Sequence, residues 1–192
     1  RSTGRNAGVY TEIKGPDWHH QHDIPLGDRL IGTLSDFGYR TRDDGFFVQC
    51  FSAGELQRVR TTFGAEVPLV QLLEEGADVS RTGLSAIAGY ANAIGPAISL
   101  TWPDRGLVGT AHELGLLVHP FTFRADELPH GFTAFAELVS AFVEHAPLGR
   151  ERKDRLQALV VEREGLRARV ELDSSRPEVE RADCLVERSL GQ

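Results

Sequence analysis

The chain has 192 residues, 41% of them hydrophobic and 26% charged, which suits one globular domain with room for an appendage. Its formal net charge of −7 argues against unspecific binding to nucleic acid or to an anionic membrane, and is compatible with holding a divalent cation. No apolar run reaches the ~18 residues of a membrane-spanning helix, and Cys50 and Cys184 are too few to fix a redox compartment.

In chain order, Val9–Lys14 reads as a strand closed by Gly15-Pro16, with Tyr10, Glu12 and Lys14 on one face. The segment D-W-H-H-Q-H that follows reads as a flexible loop. Asp23–Phe37 reads as a helix with Leu26, Leu30, Ile31 and Leu34 on one side and Gly38 as its cap. Phe46–Phe51 is a strand run. Ser52 opens a helix through Arg60, with Glu55 placed for a capping box. Pro68–Leu73 is a strand, Ser85–Ala93 a helix, and Ile94–Pro96 a short strand. Asp104–Leu114 is a helix, Leu116–Thr122 a strand and Thr133–His145 the last helix. Strand–helix units at this spacing predict parallel pairing with right-handed crossovers, and apolar strands predict burial on both faces. No glycine-rich phosphate loop accompanies them, so a barrel fits better than a dinucleotide fold.

The character changes near Pro147. All aromatic residues precede it, and residues 150–192 carry charge of both signs in balance. Residues 1–147 are therefore expected to form the barrel portion and 148–192 a charged tail, with a helix around Leu156–Val170. The chain starts at Arg1 and contains no methionine, so any targeting signal would lie upstream of it.

Strand-end residues carry the chemistry in parallel α/β folds. Here these are Glu12, Lys14, Gln49, Phe51, Gln71, Phe121, Thr122 and Arg124, expected to converge at one mouth. The chain has two lysines, Lys14 and Lys153, against 19 arginines. A lysine in that background suits a task that a guanidinium cannot do, such as a compact ammonium touching a phosphate oxygen. The alternative is a plain Glu12–Lys14 ion pair capping the strand. Gln49 and Gln71 interrupt apolar strands, and each is expected to tie down neighbouring backbone. His19, His20 and His22 lack the spacing of a closed metal site and are read as structural. His119 is expected to be packed and hydrogen-bonded.

Six blocks in order carry a resemblance: E-I-K-G-P with W-H following, D-D-G-F-F-V-Q-C-F, E-L-Q-R-V-R, P-L-V-Q-L-L, Y-A-N-A-I-G-P and L-L-V-H-P-F-T-F-R-A-D-E-L-P. Over roughly Ser2 to Pro147 the chain resembles the periplasmic type of glycerophosphodiester phosphodiesterase. The resemblance implies a TIM-type (β/α)8 barrel, here incomplete and lacking its first strands. It implies a metal-dependent hydrolysis of glycerophosphodiesters to glycerol 3-phosphate and an alcohol, in the periplasm or outside the cell. Glu12 matches the metal-binding glutamate, with Ca2+ the expected ion and Mg2+ the alternative, and Lys14 matches the lysine on the substrate phosphate. By the same resemblance Gln49, Phe121 and Arg124 are expected in the substrate pocket. The family's H-R motif, E-x-D metal pair and H-D histidine have no counterpart here, so its catalytic histidines are expected upstream and this chain alone is expected to be inactive. Its T-D-F-P-D segment is replaced by the charged tail. Alternatives are a non-catalytic barrel piece that binds a phosphate ligand or partner, or another phosphodiesterase of the same barrel superfamily. The last is opposed by the Y-A-N-A-I-G-P and H-P-F-T-F-R blocks.

Overall fold

A computed structural model describes residues 8–102 and 105–143, and the short pairs 167–168 and 186–187. Five parallel strands form one sheet in sequence order: β1 (Val9–Glu12), β2 (Phe46–Cys50), β3 (Leu69–Leu73), β4 (Ala93–Pro96) and β5 (Leu117–Val118). Helices α1 (Pro16–Gln21) and α2 (Leu26–Asp36) follow β1. Then α3 (Ala53–Phe63), α4 (Arg81–Ala88), α5 (Gly106–Glu113) and α6 (Phe135–Val143) succeed the later strands in turn. Among the described residues β1 and β5 are the outer strands, so the sheet is an unclosed part of an α/β barrel.

Side-chain alternation sorts the strands into two faces. Ile13, Phe46, Val48, Cys50, Leu69, Leu73, Ile94 and Val118 pack with Ile31 and Leu34 of α2, Leu56 and Val59 of α3 and Leu84 and Ile87 of α4. This helix-covered layer is the main core, and each such side chain contributes roughly 1.5–3 kcal/mol on burial. Val70, Leu72 and Ala93 are buried on the opposite, concave face. There the sheet curls until Tyr10 of β1 reaches His119, just past β5, in a 2.7 Å hydrogen bond between Oη and Nδ1. Phe47 lies edge-on to His119 with ring centroids 4.9 Å apart, so three strands meet in one plug. Phe123, Leu138, Val139 and Phe142 form a second cluster that seats α6.

Local signals account for most element ends. Past α2, Gly38 N–H bonds Ser35 O and Tyr39 N–H bonds Leu34 O, the paired closure expected at a Gly C-cap. Ser52 Oγ accepts from Glu55 N–H at 3.3 Å. The Glu55 carboxylate is drawn away to Arg58 and His20, so the expected capping box is half made. The supposed loop after Pro16 is helix α1, because Pro16 supplies a ready-made first-turn φ and has no N–H to satisfy. The fourth helix spans Arg81–Ala88 rather than Ser85–Ala93, since Ser80 caps Gly83 N–H from its hydroxyl. In the tail, Arg167–Ala168 pairs antiparallel with Val186–Glu187. The helix expected to reach Val170 is strand at 167–168, and the rest of it lies outside the described residues, as does the boundary at 147.

Cys50 Sγ is fully buried and donates to Ile13 O at 3.1 Å. Burial pushes its thiol up to about 11, with the nearby Glu55 and Glu12 carboxylates adding to the effect and the Ser52 N–H opposing it. Since the thiolate is the reactive form, the native chain should resist iodoacetamide at this residue at pH 8. Alkylated Cys50 should appear only under unfolding conditions, read by peptide mass spectrometry; rapid native labelling contradicts this packing.

Candidate active site

The C-terminal ends of the strands build the mouth. Glu12 closes β1 and stands in register with Gln49 of β2. Both project from the concave face, and neighbouring strands are about 4.8 Å apart, so the carboxylate and the amide stand abreast. Gln49 is buried, while the Glu12 side chain keeps 23% exposure. One residue beyond the strand, Ile13 N–H still bonds Gln49 O at 2.9 Å. Lys14 is then free of the ladder, and its side chain is 80% exposed with Nζ 3.6 Å from Glu12 Oε2. An exposed pair of this kind contributes roughly 0–1 kcal/mol. Stability alone therefore does not call for a lysine at this position.

Two aromatic rings stand at the same strand ends. Phe51, just past β2, meets Phe121, beyond β5, edge-on at 5.8 Å between centroids. Phe121 is held from both sides, its N–H on Pro96 O and its carbonyl accepting from Ile98 N–H, and its peptide with Thr122 is cis. Phe121 is half-buried and Phe51 is exposed, so a ring face remains available above the mouth.

Two expected members are engaged by other partners. Gln71 is in step with Leu69 and Leu73 and therefore faces the helices, not the mouth. Its Nε2 donates to the Phe51 and Leu72 carbonyls at 2.9 and 3.0 Å, and Tyr90 donates to its Oε1 at 2.8 Å. Arg124 is taken up by its own loop, pairing with Asp126 at 3.0 Å and Glu127 at 2.6 Å. His119 is buried and packed as expected, one alternation below Phe121, as Tyr10 is below Glu12.

Behind the mouth lies a charged network that the sequence did not reveal. Glu55, at the start of α3, is 4% exposed. It accepts from Arg58 Nε and Nη2 at 3.0 and 2.9 Å and from His20 Nε2 at 2.8 Å. Arg58 also pairs with Asp28 of α2 at 2.7 Å. Burial alone would raise the Glu55 carboxyl, but the hydrogen bonds from Arg58 and His20 outweigh it and hold the group below the usual carboxylate range. Glu55 in turn raises Arg58 further, so both stay charged.

The chain matches the model of the glycerophosphoryl diester phosphodiesterase family over residues 1–156. It is 27% identical over 177 residues to a glycerophosphodiester phosphodiesterase of Haemophilus influenzae, covering 74% of this chain and 49% of that protein. It is 26% identical over 174 residues to a glycerophosphodiester phosphodiesterase of Treponema pallidum, covering 73% of this chain and 49% of that protein. The chain thus spans about half the length of the curated relatives it matches.

Proposed function

Because the chain belongs to the glycerophosphoryl diester phosphodiesterase family, we propose that it carries part of the substrate site of an enzyme hydrolysing glycerophosphodiesters to glycerol 3-phosphate and an alcohol. The observation that carries this reading is the pairing of Glu12 with Lys14 at the C-terminal end of a parallel strand, at the end of the sheet where Phe51 and Phe121 meet. In the reaction, water adds to phosphorus and the alcohol leaves with a proton. Negative charge grows on the phosphoryl oxygens as this happens. The Lys14 ammonium, exposed and only loosely paired, is placed to meet that charge. The half-buried Phe121 ring offers a surface for the apolar edge of the glycerol. Gln49 orients the Glu12 side of the pocket. Arg124 joins the pocket in this reading only by leaving Asp126 and Glu127.

A divalent cation, Ca2+ with Mg2+ as the alternative, belongs to the same proposal, with Glu12 as its ligand. Such an ion takes about six to eight oxygens. Among the described residues no three His, Cys, Asp or Glu side chains converge. These residues therefore do not fit the ion by themselves, and no step is routed through it. The family resemblance also supports a periplasmic or secreted protein, tested by cell fractionation.

The test is release of glycerol 3-phosphate from glycerophosphocholine. It is measured with this polypeptide and with any longer gene product that contains it. Release is the expected result for the active form. Phosphate binding with no release by either form would favour the non-catalytic alternative.

A further inference from the structure

Lys14 is exposed at the mouth, yet its backbone is anchored from behind. The turn Lys14–Gly15–Pro16 runs directly into α1, where Gly15 takes φ +54° and Pro16 is buried. The segment returns to α2 through Asp23, a non-glycine residue at φ +55°. A six-residue helix therefore hangs between two left-handed residues, with Lys14 at its root. A helix this short is not stable by itself in water. Local contacts close it on one side: Trp18 stacks on His22 at 4.1 Å, and His22 Nδ1–H donates to Trp18 O at 2.7 Å.

The tie from α1 to α3 is His20. Its Nε2 bonds the buried Glu55 carboxylate, which Arg58 clasps in turn, and Arg58 reaches Asp28. Three helices thus meet around one carboxylate. Gly27 of α2 lies so close that an added Cβ would collide with Glu55 Oε1 and come within 2.9 Å of Arg58 Nη2. Arg58 and Asp28 would serve α2–α3 packing without any contact from α1. The additional bond to His20 acts on the segment that leads out of Lys14.

We propose that His20 and Glu55 are positioning residues that, by latching α1 onto α3, hold the Lys14 turn where its ammonium meets the substrate phosphate. The inference rests on the phosphate role of Lys14 given above.

The experiment titrates inorganic phosphate and glycerol 3-phosphate into the 192-residue chain by calorimetry. It compares the wild type with Lys14→Ala, His20→Ala and His20→Gln, and follows hydrogen exchange over residues 14–22 by mass spectrometry. His20→Ala should weaken binding by about threefold to tenfold and speed exchange in residues 14–22, while exchange in β2 and α3 stays slow. His20→Gln should restore affinity, because its Nε2 can donate to the same carboxylate. Wild-type affinity in His20→Ala, or no recovery in His20→Gln, overturns the latch. A different result isolates the other reading. If Lys14→Ala binds as well as the wild type, or the wild type binds neither anion, the phosphate role itself fails and the latch falls with it.

Discussion

Lys14→Ala is expected to lower glycerophosphodiester turnover by about a hundredfold to a thousandfold, in whichever gene product containing this chain is active, without destabilising the fold. The two halves of that expectation come from the same geometry. The side chain is 80% exposed and its partner among the described residues, Glu12, is 3.6 Å away. Surface substitutions of this kind usually change stability by no more than about 0.5 kcal/mol. A charge aimed at a developing phosphoryl anion is worth several times more, because its benefit appears only as the transition state forms. Lys14→Arg should recover only part of the loss. The guanidinium is larger, planar and more weakly hydrated, and it cannot place a point charge at the same spot. The measurement is kcat/KM for glycerol 3-phosphate release, with melting temperature alongside. Full activity in the arginine variant, or a melting temperature that falls with activity in the alanine variant, would contradict the phosphate role.

The alternation of strands and helices was legible because the inner strands are largely apolar on both faces and the longer helices show a separate apolar stripe. Parallel order followed from the lengths between strands. What periodicity could not supply was orientation. Gln49 and Gln71 look alike in sequence, each a lone amide in an apolar run. The register puts Gln49 beside Glu12 at the mouth and Gln71 beneath Tyr90 among the helices. Gln71 is in step with Leu69 and Leu73 in the sequence, and that spacing carries its outward direction.

Helix α1 was missed because its aromatic and histidine residues look like a loop or a failed metal site. The signal that could have found it is Gly15-Pro16-Asp17, a glycine, a first-turn proline and an acidic residue near the N-terminus. Three residues after Ser52, Glu55 shows in the sequence only a local capping role. A capping box is a property of one helix, whereas the bonds from His20 and Arg58 depend on α1 and α3 meeting, which no local window contains. The Tyr10–His119 contact was hidden for the same reason: 109 residues separate its members, and only the curl of the sheet joins them.

Removing the Glu55 carboxylate should cost the fold more than any change at the mouth. Taking one partner from a buried ion pair typically costs about 3–5 kcal/mol, because the remaining charge is left without compensation. Arg58 is 32% exposed and keeps Asp28, which places Glu55→Ala near the lower end of that range. For a chain of this size about 3 kcal/mol corresponds to a fall of roughly 6–12 °C in melting temperature. The effect should also depend on pH, with a definite sign. Arg58 and His20 hold the Glu55 carboxyl below its ordinary value of 4.5 against the opposing effect of burial. A carboxyl depressed in the folded state adds stability above its unfolded value, and that stability is lost as pH falls through the folded value. Asp44, Asp78 and Glu137 are lowered too, so acid unfolding of the wild type reports several groups at once. The difference between wild type and Glu55→Gln isolates this one. It should be large and flat at neutral pH and should shrink once pH drops below about 4.5. Urea midpoints at pH 7, 5, 4 and 3 measure it. A Glu55→Gln chain as stable as the wild type at pH 7, or a difference that stays constant down to pH 3, would show that the carboxylate is not held in its charged form by Arg58 and His20.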